Sequence, residues 1–155
     1  MSKGLFRHID TNFWIDIKVS EELSAKERYF FLYLLTNPST NLIGCYELGL
    51  KKAAIDTDLP IDDIKSSLDK LKELHMVEYD EKTKEVLLLN WLKHNLTANE
   101  KMQAAVSKQL LEVKSKAFYE ILAKKITEIS KQLEPKKPKP SKEKSVISLA
   151  DSIPI

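Results

Sequence analysis

The feature that most constrains this chain is a change of hydrophobic period at His75. Upstream, Ile61, Ile64, Leu68, Leu71 and Leu74 recur at three- and four-residue steps, which places them on one face of an amphipathic helix. Downstream, His75-Met76-Val77-Glu78-Tyr79 and Glu85-Val86-Leu87-Leu88-Leu89 flank the polar stretch Asp80-Glu81-Lys82-Thr83-Lys84, the pattern of a β-hairpin. Helices must therefore pack against a small antiparallel sheet. The expected class is α+β, mainly helical.

The residues before Ile61 fill in the order. Ser24-Ala25-Lys26-Glu27 reads as a capping box, and Phe30, Phe31, Leu34 and Leu35 follow on one helical face. Pro38 cannot continue that helix and pushes Asn37 away from α geometry, so the helix should span residues 25–36. Leu42-Ile43-Gly44-Cys45-Tyr46 is too short and apolar for a surface loop; it reads as a short buried strand, with Gly44 where another backbone comes close. A second helix carries Leu50, Ala53, Ala54 and Ile55 and ends in Asp56-Thr57-Asp58-Leu59-Pro60. Helix, short strand, helix, turn, helix, hairpin is the order of a winged helix-turn-helix, assigned here to residues 1–97.

Residues 98–134 form a helical extension. Met102, Val106, Leu110 and Val113 line one side, and Ala117, Ile121 or Leu122, Ile126, Ile129 and Leu133 continue it. Ser115 is a candidate cap for a fresh helix after a break near Val113. This segment either packs back on the preceding domain or pairs with another copy; its length points to a homo-oligomer. Residues 135–155 read as a disordered tail, because "PKKPKPSKEKS" offers no core, with a short apolar end, "VISLADSIPI".

Composition narrows the chemistry. One cysteine in 155 residues allows no internal disulfide and no cysteine zinc cluster, and Cys45 in an apolar strand is expected to be inert. His8, His75 and His94 are far apart, without helical pairing, so no metal is expected. Three glycines make no phosphate loop and no nucleophile sits in an elbow, which argues for a non-enzyme without cofactors. No apolar run nears the roughly 20 residues that span a bilayer, and Met1-Ser2-Lys3-Gly4-Leu5 is not a secretory leader, so a cytoplasmic protein is expected.

"FWIDIKVSEELSAKERYFFLYLLTNPSTNLIGCYEL", "IDTDLPIDDIKSSLDKLKE" and "EVLLLNWLKHN" resemble the N-terminal winged-helix domain of phage replication proteins from Gram-positive hosts, the replisome organisers and DnaD-like initiators. "EKMQAAVSKQLLEVKSKAFYEIL" is similar to the helical segment that follows in the same proteins, so the resemblance covers residues 6–133. It implies origin recognition on double-stranded DNA, recruitment of a helicase loader or other replication proteins, no catalysis, and the host-cell cytoplasm as location.

In a winged helix the third helix enters the major groove. Its solvent face would present Asp62, Ser66, Asp69, Lys70 and Glu73, with Lys65 at the edge, and is more acidic than basic. Affinity for phosphates must then come from Lys51 and Lys52 on helix two, Lys82 and Lys84 on the wing, and Lys3 and Arg7 in the N-terminal arm. The net charge of +2 divides unevenly: residues 1–97 carry 13 Lys and Arg against 16 Asp and Glu, residues 98–155 carry 12 against 7. The acidic front half suits an alternative, a protein-interaction module or transcriptional regulator that modulates replication without strong DNA binding. Phe13, Trp14, Phe30, Phe31 and Trp91 are able to stack bases, but beside the apolar stripes they are expected in the core. The basic tail either meets phosphates or serves as a solubilising linker.

Overall fold

The computed structural model describes residues 4–133; Lys3 and the basic tail lie outside them. An N-terminal arm holds a 3-10 turn at Thr11–Trp14 and one π-helical turn at Lys18–Glu22. Then come α1 (Ala25–Thr36), β1 (Cys45–Glu47), α2 (Leu50–Thr57), α3 (Ile61–Glu73), β2 (Val77–Asp80), β3 (Glu85–Leu88), α4 (Trp91–Asn95), α5 (Glu100–Leu110) and α6 (Lys116–Leu133). The class is α+β and mainly helical, with one three-stranded antiparallel sheet.

Local chemistry sets the boundaries. Ser24 Oγ accepts from the Glu27 amide at 3.2 Å while Glu27 Oε1 accepts from the Ser24 amide at 2.7 Å, so the capping box opens α1. Arg28 ties the arm to that helix, donating from Nε to the Val19 carbonyl and from Nη2 to the Ser20 carbonyl, each at 2.8 Å. At the other end Asn37 turns extended and its side-chain amide donates to the Tyr33 carbonyl and the Tyr46 hydroxyl, both at 2.9 Å. Tyr46 passes its own proton to the Leu34 carbonyl at 2.6 Å. The polar "NPSTN" segment is thus a hydrogen-bonded corner, with Asn37 and Thr40 buried, that stops α1 and aims β1.

The strand order is β1-β3-β2, with Cys45 opposite Leu87, Tyr46 opposite Val86 and Val77 opposite Leu88. Successive side chains face opposite sides of the sheet. Tyr46, Val86 and Leu88 join the core formed with Phe30 and Leu34 of α1 and Ile64 and Leu71 of α3. Cys45 and Leu87 join a second core with Leu92, Val106, Phe118 and Leu122. All four residues of β3 are buried, so the strand is covered on both faces. Each fully buried Leu or Phe here contributes roughly 1.5–3 kcal/mol of transfer free energy.

The helical extension therefore shares a core with the sheet across residue 97. The turn between α5 and α6 docks on β3 through Glu85, whose side chain accepts from the Lys114 amide at 3.0 Å and the Ser115 amide at 2.6 Å. Ser115 Oγ in turn accepts from the Phe118 amide at 3.3 Å, which caps α6 and sets its phase.

Four expectations need correction. Ala117 is exposed and the buried face of α6 runs through Phe118 and Leu122, because the cap at Ser115 fixes the rotation. Ile55, expected among the apolar positions of α2, is 77% exposed. Trp14, expected in the core, is 60% exposed, because Phe13 takes the inward position of the same short turn. Gly44 is approached by a side chain: at φ +68° a Cβ would lie 2.5 Å from Trp91 Cβ and Cγ. The Trp91 indole N–H donates to the Leu42 carbonyl at 3.1 Å, which holds the ring over that glycine.

Candidate nucleic-acid interface

Helix α3 packs its apolar stripe against α1, α2 and β2 and turns Asp62, Lys65, Ser66, Asp69 and Glu73 to solvent. Proline at the cap position, carboxylates in the first turn and lysines in the last favour helix here, the charges opposing the helix dipole. Ser66 donates to the Asp63 carbonyl at 3.2 Å, and Asp63 pairs with Lys26 of α1 at 3.0 Å. Lys70 is half-buried at the border of the stripe. Within α3, three lysines stand against four carboxylates.

Two other elements bring cations beside it. Lys51 and Lys52 lie exposed in the first turn of α2. Lys52 is held by Asp56, whose carboxyl also accepts from the Tyr33 hydroxyl at 2.7 Å. Those two bonds keep Asp56 below the usual carboxylate range, and burial together with Asp56 pushes the Tyr33 phenol up. Lys51 has no ion pair among the described residues.

At the hairpin, Asp80 organises the turn by accepting from the Lys82 amide at 2.9 Å and the Thr83 amide at 3.2 Å. Lys84 takes φ 62°, the left-handed position that closes the hairpin, and both Lys82 and Lys84 project outward. The structure thus brings Lys51, Lys52, Lys65, Ser66, Lys70, Lys82 and Lys84 to α3 and its neighbours.

Arg7 is not among them. Its Nε donates to Thr40 Oγ1 at 2.8 Å, its Nη2 to the Thr40 carbonyl at 2.7 Å, and the guanidinium lies 5.9 Å from the Trp91 ring centroid. These contacts fasten the arm to the corner after α1 and engage two of the guanidinium's five donors.

Cys45, in the buried strand, has its thiol pushed up to about 12 by burial and by Glu85, which suppresses thiolate chemistry. Among the described residues no group of His, Cys, Asp and Glu is arranged to hold a metal, and no helix is long and apolar enough to cross a membrane.

A second surface escaped sequence reasoning. Leu5, Phe6, Trp14, Ile15 and Ile17 of the arm are exposed, and Ile17 lines a groove whose other apolar walls include Phe13, Phe31, Leu35, Met76 and Trp91. The signal was present in "NFWIDI": a short turn cannot turn Phe13, Trp14 and Ile15 inward together.

No family model, curated protein or solved structure matches this chain.

Proposed function

We propose that this protein binds duplex DNA through a winged helix, as a phage-type replication initiator or replisome organiser that recognises an origin and recruits replication proteins without catalysis. The order α1-β1-α2-α3-β2-β3 supports the winged-helix assignment, with α3 as recognition helix and the Asp80–Lys84 turn as wing. The resemblance of residues 6–133 to replisome organisers supports the replication role. One observation carries the DNA reading: α3 exposes Lys65, and of the two elements packed on it, α2 exposes Lys51 and the hairpin exposes Lys82 and Lys84.

The carboxylates of α3 favour a second reading, a protein-docking or transcription-regulating winged helix. Asp62, Asp69 and Glu73 oppose phosphate, and Asp56 already occupies Lys52.

Fluorescence anisotropy with duplex DNA separates the two. Four or five phosphate contacts should weaken binding by about 100- to 1,000-fold between about 50 and about 200 mM salt. Lys51→Glu combined with Lys84→Glu should remove most of the affinity and flatten the salt slope. Absence of binding at low salt, to origin and random duplexes alike, would leave the protein-docking reading.

A further inference from the structure

The apolar groove beside the N-terminal arm takes no part in the DNA face. Its volume is about 520 Å³, and its wall is built from the arm, α1, Leu88 and α4. Exposed apolar patches rimmed by polar residues mark docking sites. Here Phe6 is 91% exposed and Ile15 73%, while Asp10 and Asp16 stand at the rim. The cavity falls in the roughly 300–1,000 Å³ range of sites that enclose a ligand or several side chains.

We propose that the groove is the docking site for the chain's own apolar segment, Val146–Ile155, reached in cis. Beyond α6 the sequence holds one apolar stretch, "VISLADSIPI", which carries a single charge, Asp151. Reach is set by where α6 runs. Lys125 Nζ donates to the Leu89 carbonyl at 2.5 Å, and Asn90 and Trp91, the next two residues, line the groove. From Lys125 to Leu133 the helix advances about 12 Å. Residues 134–145 then supply twelve positions, about 37 Å at the extended rise of Pro-rich chain, so the segment reaches the groove with slack.

Charge points the same way. The connecting stretch carries five lysines against two glutamates and would run past Asp10 and Asp16, while the uncharged side chains of Val146, Ile147, Leu149 and Ile153 fill the apolar floor. Docking would cover Trp14 and the groove until a partner with a better apolar segment displaced it.

The test uses the full chain. A nitroxide on Ser148→Cys reports proximity without removing a side chain that fills the floor, because Cys45 is buried and its thiol resists labelling. Amide resonances of Ile9, Phe13, Trp14 and His94 should lose most of their intensity in the isotope-labelled, spin-labelled chain, independently of concentration. An equal mixture of isotope-labelled unmodified chain and unlabelled nitroxide chain should leave them sharp. Ile147→Asp with Leu149→Asp should shift Trp emission to longer wavelength, since Trp91, one of the two tryptophans, lines the groove and the other, Trp14, packs edge-on against the lining residue Phe13. Broadening that appears in the mixed sample as well would assign the groove to a second copy, and unbroadened groove resonances in both samples would assign it to a foreign partner; either result overturns the proposal.

Discussion

The two faces of the sheet are held in different ways. The face toward α1 and α3 is closed by apolar side chains that recur at helical and strand periods, among them Phe30, Leu34, Ile64, Leu71 and Val86. The face toward α5 and α6 has fewer fully buried side chains and depends on polar attachments between distant parts of the chain. Gln109 Oε1 accepts from the Leu42 amide at 2.8 Å, Glu85 receives the Lys114 and Ser115 amides, and Lys125 reaches the Leu89 carbonyl. Glu85 is 4% exposed, so its charge depends on those two amides for solvation. The comparison teaches that a domain's first core can be set by periodicity while a second element is placed by a few contacts that periodicity does not carry.

The largest effect should come from emptying either core. Phe30→Ala and Phe118→Ala should each cost about 3–5 kcal/mol, since both rings are buried and neither site can collapse easily. Because β3 belongs to both cores, Phe118→Ala should lower one cooperative transition seen alike by tryptophan fluorescence and far-ultraviolet dichroism. A separate early transition, or a cost below about 1 kcal/mol, would break the view of a shared sheet and make the extension an independent unit.

Gly44 sharpens the comparison at the seam. Its neighbour Cys45 faces the second core, while Trp91, lying against it, belongs to the first. Gly44→Ala should destabilise by about 2–4 kcal/mol, from a left-handed backbone that disfavours any Cβ and from a clash with the indole. Trp91→Gly in the same chain should cost less than the sum of the two single changes, because it removes the Cβ and Cγ that a methyl at position 44 would meet. Simple addition of the two costs in urea titrations would show that the clash is relieved by movement elsewhere.

Much of the first core was legible. Ser24 and Glu27 announced α1, Pro38 its end, and the period change at His75 the hairpin, because each signal acts within a few residues. Gly44 was flagged as a close approach, but its partner lies 47 residues away and no local pattern names Trp91. Along α6, Leu122, Ile126, Ile129 and Leu133 were read on the packed side, and only the first position, Ala117, was placed one residue from Phe118. The contact that seats that turn is a buried carboxylate on β3, 30 residues before the Ser115 amide it holds. The lysines around α3 were legible as a set. Arg7 was not separable from them, since a guanidinium committed to Thr40 and Trp91 looks in sequence like any free arginine of a basic arm.

The smallest effect tests the link between the two regions at the hairpin. Asp80 ends β2, and the Ser115 hydroxyl is the largest influence holding its carboxyl below the usual range, ahead of the Thr83 and Lys82 amides and the Lys82 charge. A carboxylate with a lowered folded-state pKa contributes stability that is present above its unfolded value, near about pH 4, and is lost as pH falls through the folded value. Asp80→Asn should therefore lower the urea midpoint slightly at neutral pH and cease to matter in acid, where the wild-type carboxyl is itself protonated. Ser115→Ala should remove part of the same pH dependence from the other side, in addition to its loss as the cap of α6. If the gap between wild type and Asp80→Asn stays constant from neutral pH into acid, the charge on Asp80 contributes nothing to joining the hairpin to α6. Docking of the extension would then rest on Glu85, the Gln109–Leu42 and Lys125–Leu89 bonds and the apolar contacts.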